Sequence, residues 1–161
     1  MKTSITTFED ALAYQLQGLY YAETKIREEF ETCNSQITSG EVKAQLTRYI
    51  GSAEDKLLKL KRIFNYLLKP LERKNEVINK LLEETQHMLT YATSPHLKDI
   101  MMVSCMQNIN AYKLAGYKTA YLFAMELEMD TVADLIREII AWERDTGKVL
   151  GELSLMEFNK P

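Results

Sequence analysis

Residues 97–127 read LKDIMMVSCMQNINAYKLAGYKTAYLFAMEL, and apolar side chains cover nearly the whole circumference of the helix this pattern describes. Such a helix has to be wrapped by other helices, so this stretch decides for a bundle. Ser94-Pro95 supplies its start, a capping hydroxyl followed by a proline at the first helical position. Two residues break the pattern. Asn110 and Lys113 fall on the face shared by Met106, Tyr117 and Ala120, where an apolar helix should hide only carbon.

The neighbouring segments supply the wrapping. Thr7-Phe8-Glu9-Asp10 caps a first helix whose stripe runs Phe8, Leu12, Leu16, Leu19, Glu23, Ile26, Phe30, Cys33, Ile37, in steps of three or four. Ser39-Gly40-Glu41 breaks it and opens a second, with Val42, Leu46, Tyr49, Ile50, Ala53, Leu57, Leu60, Phe64 and Leu67, until Pro70 stops it. The break is short enough to predict an antiparallel hairpin. A shorter amphipathic helix over 72–92 presents Val77, Ile78, Leu81, Leu82, Thr85, Met88 and Leu89. Asp130-Thr131 opens the last helix, with Val132, Ile136, Ile139, Glu143, Thr146, Leu150 and Leu153. The expectation is a single all-α domain over 1–161, with long helices at 7–37, 40–69, 95–127 and 130–157 and the 72–92 helix in one long crossover.

Composition narrows the function. Of 161 residues, 46% are apolar and 27% charged, with few helix breakers (6 Gly, 3 Pro) and a net charge of −3. The signs are interspersed, so no basic stripe points to nucleic acid. Cys33 and Cys105 lie singly inside apolar patterns and read as reduced core residues of a cytoplasmic protein. MKTSITTFED has no apolar run behind its lysine, and no segment reaches the unbroken apolar length of about 18 residues that a membrane span needs. Neither secretion nor membrane insertion is expected.

The polar interruptions carry the functional signal. Glu23, Glu143 and the Asn110–Lys113 pair each lie near the middle of their helices, and antiparallel packing preserves midpoints. They should therefore meet at one level of the bundle, where helix bundles build metal sites from inward-facing carboxylates.

At these residues the chain resembles the YciE/YciF-like family of bacterial stress proteins, of the ferritin-like superfamily, over about residues 5 to 157. Tyr20, Ala22 and Glu23 match its Y-x-A-E; Tyr112, Leu114, Ala115, Tyr117 and Thr119 match its third-helix run; Leu135, Glu138, Glu143 and Thr146 match the last helix. The resemblance implies a ferritin-like antiparallel four-helix bundle with a di-iron carboxylate site. The departures fall on the ligands. Asn110, Ala111 and Lys113 stand where the family has Glu, His and Glu; Tyr49-Ile50-Gly51-Ser52-Ala53-Glu54-Asp55-Lys56 replaces H-L-E-E-T-x-x-Q; Ala141 and Trp142 replace acids. Only Glu23 and Glu143 remain, too few for two cations that each want several oxygen or imidazole ligands.

Three readings of these residues follow. Lys113 neutralises Glu23 and Glu143 inside the core with Asn110 as hydrogen-bond partner; Lys113 snorkels outward with both glutamates at the stripe's edge; or Glu23 and Glu143 keep a reduced metal site. Other candidates read as structural. Glu84-x-x-His87 is a single motif on the crossover helix, opposite Val77, Leu81 and Leu89, and reads as a solvated face. His96 lies in a first turn, and Glu54 and Asp55 flank Ala53. Tyr20, Tyr49, Tyr112, Tyr117 and Tyr121 read as core aromatics, and Met101, Met102, Met106 and Met125 as gap fillers.

The functional expectation is a non-enzymatic, stress-associated cytoplasmic bundle without cofactor. It acts as a homodimer through the surplus apolar surface of the third long helix and of Phe64, Tyr66 and Leu68. The competing expectation is an iron-binding, ferroxidase-like oxidoreductase at Glu23 and Glu143.

Overall fold

Residues 4–161 form five α-helices: α1 (Phe8–Cys33), α2 (Gly40–Leu67), α3 (Glu76–Tyr91), α4 (Pro95–Glu126) and α5 (Asp130–Phe158). The computed structural model describes residues 4–161; Met1 to Thr3, the start of the stretch read above as lacking a leader, lie outside the described residues. Among the described residues there is no strand, and no helix is long and apolar enough to cross a membrane.

Four of the five starts are fixed by a side chain that accepts from an otherwise unpaired N–H in the first turn, the exception being α5. Thr7 accepts from Asp10 N, Ser39 from Val42 N, Asn75 from Val77 N and Ile78 N, and Ser94 from Leu97 N. Asn75 explains why α3 begins at 76 and not at 72. Its side chain is buried, donates to Gly18 O at 3.1 Å, and anchors the helix start against α1. A short 3-10 turn over Asn34–Gln36 ends α1 before 37. At the far end of α2, Leu68 takes the left-handed conformation (φ 53°) two residues before Pro70.

Loop lengths and cross-contacts set the topology. The α1–α2 and α4–α5 connections are short, so both pairs are antiparallel hairpins. Buried Asp99, near the start of α4, accepts from Thr38 N, Thr38 Oγ1 and Ser39 N at 2.8–3.0 Å, which joins the start of α4 to the α1–α2 connection. Near the C-terminus of α5, Ser39 Oγ donates to buried Glu157, which sets α5 antiparallel to α2. The helices therefore run round the bundle in the order α1, α2, α5, α4, with α3 packed outside against α1 and α4. This is the expected all-α bundle with a short helix in its crossover.

The apolar core is divided in two. One cluster holds Ala22, Ile26, Phe30, Leu46, Tyr49, Met106, Ile109 and Leu150; the other holds Leu16, Leu19, Leu60, Tyr117, Ala120, Ile136 and Ile139. Along every long helix the division falls mid-way, at the level of the polar interruptions.

Several expected core positions differ. Phe8 and Val77 begin their helices and remain half exposed, at 50% and 52%. Phe64, assigned above to a surplus surface, is buried inside the chain at 5%. The apolar circumference of α4 is explained largely within the chain, because α1, α3 and α5 cover three of its sides. Leu122 and Met125 near its end are left uncovered.

Candidate functional site

Four ionised side chains, one from each long helix, meet in the layer between the two core clusters. Glu23 comes from α1, Lys56 from α2, Lys113 from α4 and Glu143 from α5, and all four are fully buried. Lys113 Nζ donates to Glu23 Oε1 at 3.1 Å and Oε2 at 3.3 Å, and to Glu143 Oε1 at 2.9 Å. Lys56 Nζ pairs with the same Glu143 Oε1 and lies 3.5 Å from Ser52 Oγ. Asn110 Nδ2 donates to Glu143 Oε2 at 2.7 Å and to Glu143 O at 2.9 Å; Tyr117 Oη donates to Glu23 Oε1 at 2.8 Å.

The structure thus brings Glu23, Asn110, Lys113 and Glu143 together and sends Lys113 inward, with no exposed surface to snorkel toward. It adds Lys56, which the sequence reading passed over. With Lys113 alone the cluster would carry a net charge of −1; with Lys56 it is neutral, two ammoniums against two carboxylates. The signal was present in the spacing. Ala53, Lys56 and Leu60 follow one another in steps of three and four, so Lys56 lies on the buried stripe beside Leu57.

Backbone detail lets the groups approach. A Cβ on Gly147 of α5 would lie 2.9 Å from Asn110 Oδ1, so glycine at this position makes room for the amide. Glycine in a helix interior costs about 1 kcal/mol relative to alanine, which close contact with Asn110 explains. Tyr49 closes one side of the layer, with Lys113 Nζ 4.6 Å and Lys56 Nζ 5.5 Å from its ring centroid. That geometry suits attraction of a cation to an aromatic face.

Burial and charge act in opposite directions on these groups. Burial alone would lower the Lys113 ammonium, yet Glu143 and Glu23 override it and hold its pKa well above the ordinary lysine value of 10.5. Burial would raise Glu143, but Lys113 and Lys56 bring it below 4.5. Lys56 is different. Burial, and then the like charge of Lys113, outweigh the carboxylates and lower its pKa below 10.5. Lys56 is therefore the ammonium that gives up its proton more readily as pH rises. Burial first, then Glu23, pushes the Tyr117 phenol well above 10, so it stays a donor.

The remaining candidates are spectators to this layer. His87, Glu84, His96, Glu54 and Asp55 are exposed. Cys33 and Cys105 are buried free thiols, Cys33 pushed up to about 11 mainly by desolvation, and neither adjoins the ion network. Of the tyrosines, Tyr49 and Tyr117 are fully buried; Tyr20, Tyr112 and Tyr121 are partly exposed. Met102 and Met106 are buried fillers, whereas Met101 is half-buried and Met125 exposed.

Removing one ammonium should orphan one particular carboxylate. Among the described residues Glu23 forms an ion pair with Lys113 alone, so Lys113→Met is expected to cost about 3–5 kcal/mol in denaturant melts at pH 7. Lys56→Met should cost about half as much, because Glu143 keeps Lys113. Lys113→Met leaves buried carboxylate charge without its counter-ion, and acid relieves that charge, so the deficit against the unsubstituted protein should shrink as pH falls from 7 toward 4. The unsubstituted protein loses the contribution of Glu143 only below that range, since this contribution is complete above 4.5 and disappears as pH falls through the depressed folded value. A Lys113→Met cost below about 1 kcal/mol would contradict the network.

Comparison with known proteins places the chain in a family. Protein YciF of Escherichia coli K12 is 23% identical over 162 residues, which cover 98% of this chain and 96% of that protein. The crystal structure of the E. coli stress protein YciF superposes with a TM-score of 0.92 at 18% identity, covering 98% of this chain and all of that one. YcfI from Rhodopseudomonas palustris gives a TM-score of 0.89 at 23% identity, over 94% of this chain and 97% of that one. At these identities the structures show a shared fold. Residues 7–160 match a family model described as a domain of unknown function, DUF892, and the chain belongs to that family.

Proposed function

We propose that this protein is a non-enzymatic, stress-associated cytoplasmic bundle that acts as a homodimer, and that its ion network stands in place of a di-iron centre. The observation that carries this reading is the pair of ammonium groups in contact with the two carboxylates. A dication between Glu23 and Glu143 would have to displace both Lys56 and Lys113. The donors then left to it are two carboxylates, one amide oxygen and one phenol, with both histidines exposed elsewhere. Among the described residues no three His, Cys, Asp or Glu side chains form a group that could hold a metal ion. The residues present do not fit a di-iron centre, whose ions each require several oxygen or imidazole ligands. The relation to the E. coli stress protein supports the stress association.

The dimer rests on surface chemistry. Leu68 is 89% exposed and holds a left-handed backbone conformation, which costs an L-residue about 1–2 kcal/mol. Glycine would remove that cost, so a leucine here is explained by a contact its side chain makes in the assembled protein. Tyr66 on α2 and Leu122 and Met125 on α4 are also exposed, at 49%, 67% and 49%.

Two experiments test the reading. Protein exposed anaerobically to ferrous iron and then to oxygen should retain well under one iron per chain and show no ferroxidase turnover; two tightly held irons per chain would overturn it. Sedimentation at micromolar concentration should show a dimer, whose interface is expected to exceed about 1,000 Å² in total. Leu68→Gly should weaken that dimer without destabilising the fold. A compact monomer at every concentration would refute the assembly.

A further inference from the structure

On the side of the ion network that faces away from α4, α2 and α5 do not close fully. Between them lies a cleft of about 270 Å³, lined at helical spacing by Gln45, Tyr49 and Ser52 on one side and Trp142, Thr146 and Val149 on the other. One polar atom of its lining residues, Gln45 Oε1, is buried without a hydrogen-bond partner, in a residue only 5% exposed. The hydroxyl of Tyr49 lies toward the Lys113 ammonium and belongs to the ion network. Buried polar atoms are nearly always satisfied, and leaving one unpaired costs stability, so the amide oxygen at this cleft points to a donor that the protein itself does not supply.

We infer that this cleft is a binding site for a small organic cation, an arylalkyl amine, whose ammonium donates to Gln45 Oε1. The chemistry of the lining selects that class. Gln45 offers its amide oxygen, an acceptor only, so the ligand atom it meets must be a donor. The rim carries the carboxylates of Asp55 and Asp145 against one guanidinium, Arg48, which leaves an excess of negative charge. Neither carboxylate forms an ion pair among the described residues. Trp142 and Val149, both partly exposed, give the apolar body of the ligand a surface to cover. Lys59 lies over the Trp142 ring at 5.2 Å but is tied outward to Glu138, so it borders the cleft without filling it. The volume suits a ligand of about 10 non-hydrogen atoms, below the size of a typical drug.

Position gives the site a second consequence. Tyr49 is shared between cleft and ion network, its ring beneath Lys113 and Lys56. A ligand packed against Tyr49 in the cleft therefore rests beside the layer that ties the four helices together, and binding should raise the melting temperature.

The chain has a single tryptophan, Trp142, so intrinsic fluorescence reports on the cleft directly. Titration with phenethylamine should give a saturable change with a submillimolar Kd, accompanied by a higher melting temperature. The anion phenylacetate, of the same shape, should bind at least about tenfold more weakly. Gln45→Leu should weaken phenethylamine about fivefold, as the loss of one hydrogen bond does, while the free variant melts no lower than the parent because an unpaired polar atom has been removed. Three outcomes would overturn the proposal: no saturation below about 10 mM, equal binding of phenylacetate, or a Gln45→Leu variant that melts lower and still binds phenethylamine unchanged.

Discussion

A charge withdrawn from water inside a protein must meet an opposite charge within a few ångströms, or the fold loses several kcal/mol for each ion. The middle of this bundle is organised by that constraint. Glu23 and Glu143 face Lys56 and Lys113 in a layer with no exposed surface, and the four together carry no net charge. Each comes from a different long helix. The layer therefore ties α1, α2, α4 and α5 at one height, much as a central metal ion would, but with groups carried by the chain itself. A shift of one helix by a turn, about 5.4 Å, would separate every pair that helix makes in the layer.

Such a layer adds specificity more readily than stability. Apolar side chains of similar size would fill the same space without desolvating four ions, and exchanges of that kind are often neutral or stabilising. What they lack is direction. The two apolar clusters above and below can slide against one another with modest loss, whereas Lys113 reaches both carboxylates only in the observed register. Asn110 and Tyr117 use remaining lone pairs of the carboxylates, and Gly147 leaves space for the amide. Polar satisfaction of this completeness is what a buried network needs if it is not to be worse than plain carbon.

Much of this was legible in the sequence because the helices are long and strongly periodic. Glu23 and Glu143 interrupt otherwise apolar stripes, and mid-helix positions in an antiparallel bundle come to one level. Lys56 escaped because its neighbour Leu57 continues the stripe equally well from Ala53, so a lysine beside it reads as a flank. Phe64 was assigned to the surface because linear position near a helix end says little about what α5 covers. The start of α3 was placed four residues early, since only the tertiary contact of Asn75 with Gly18 picks the cap from the polar stretch after Pro70. Asp99 gave no signal: an acid near a helix start is ordinary, and its three partners lie 60 and 61 residues away.

The central claim is that the four charges persist because they balance one another, not because each adds stability on its own. Equilibrium unfolding at neutral pH of a variant carrying Glu23→Met, Lys56→Met, Lys113→Met, Glu143→Met and Tyr117→Phe tests it most directly. The account predicts that this variant, with no charge left in the layer, is more stable than the single Lys113→Met variant and lies within about 2 kcal/mol of the parent protein or above it. A variant less stable than Lys113→Met, with losses that accumulate substitution by substitution, would contradict it.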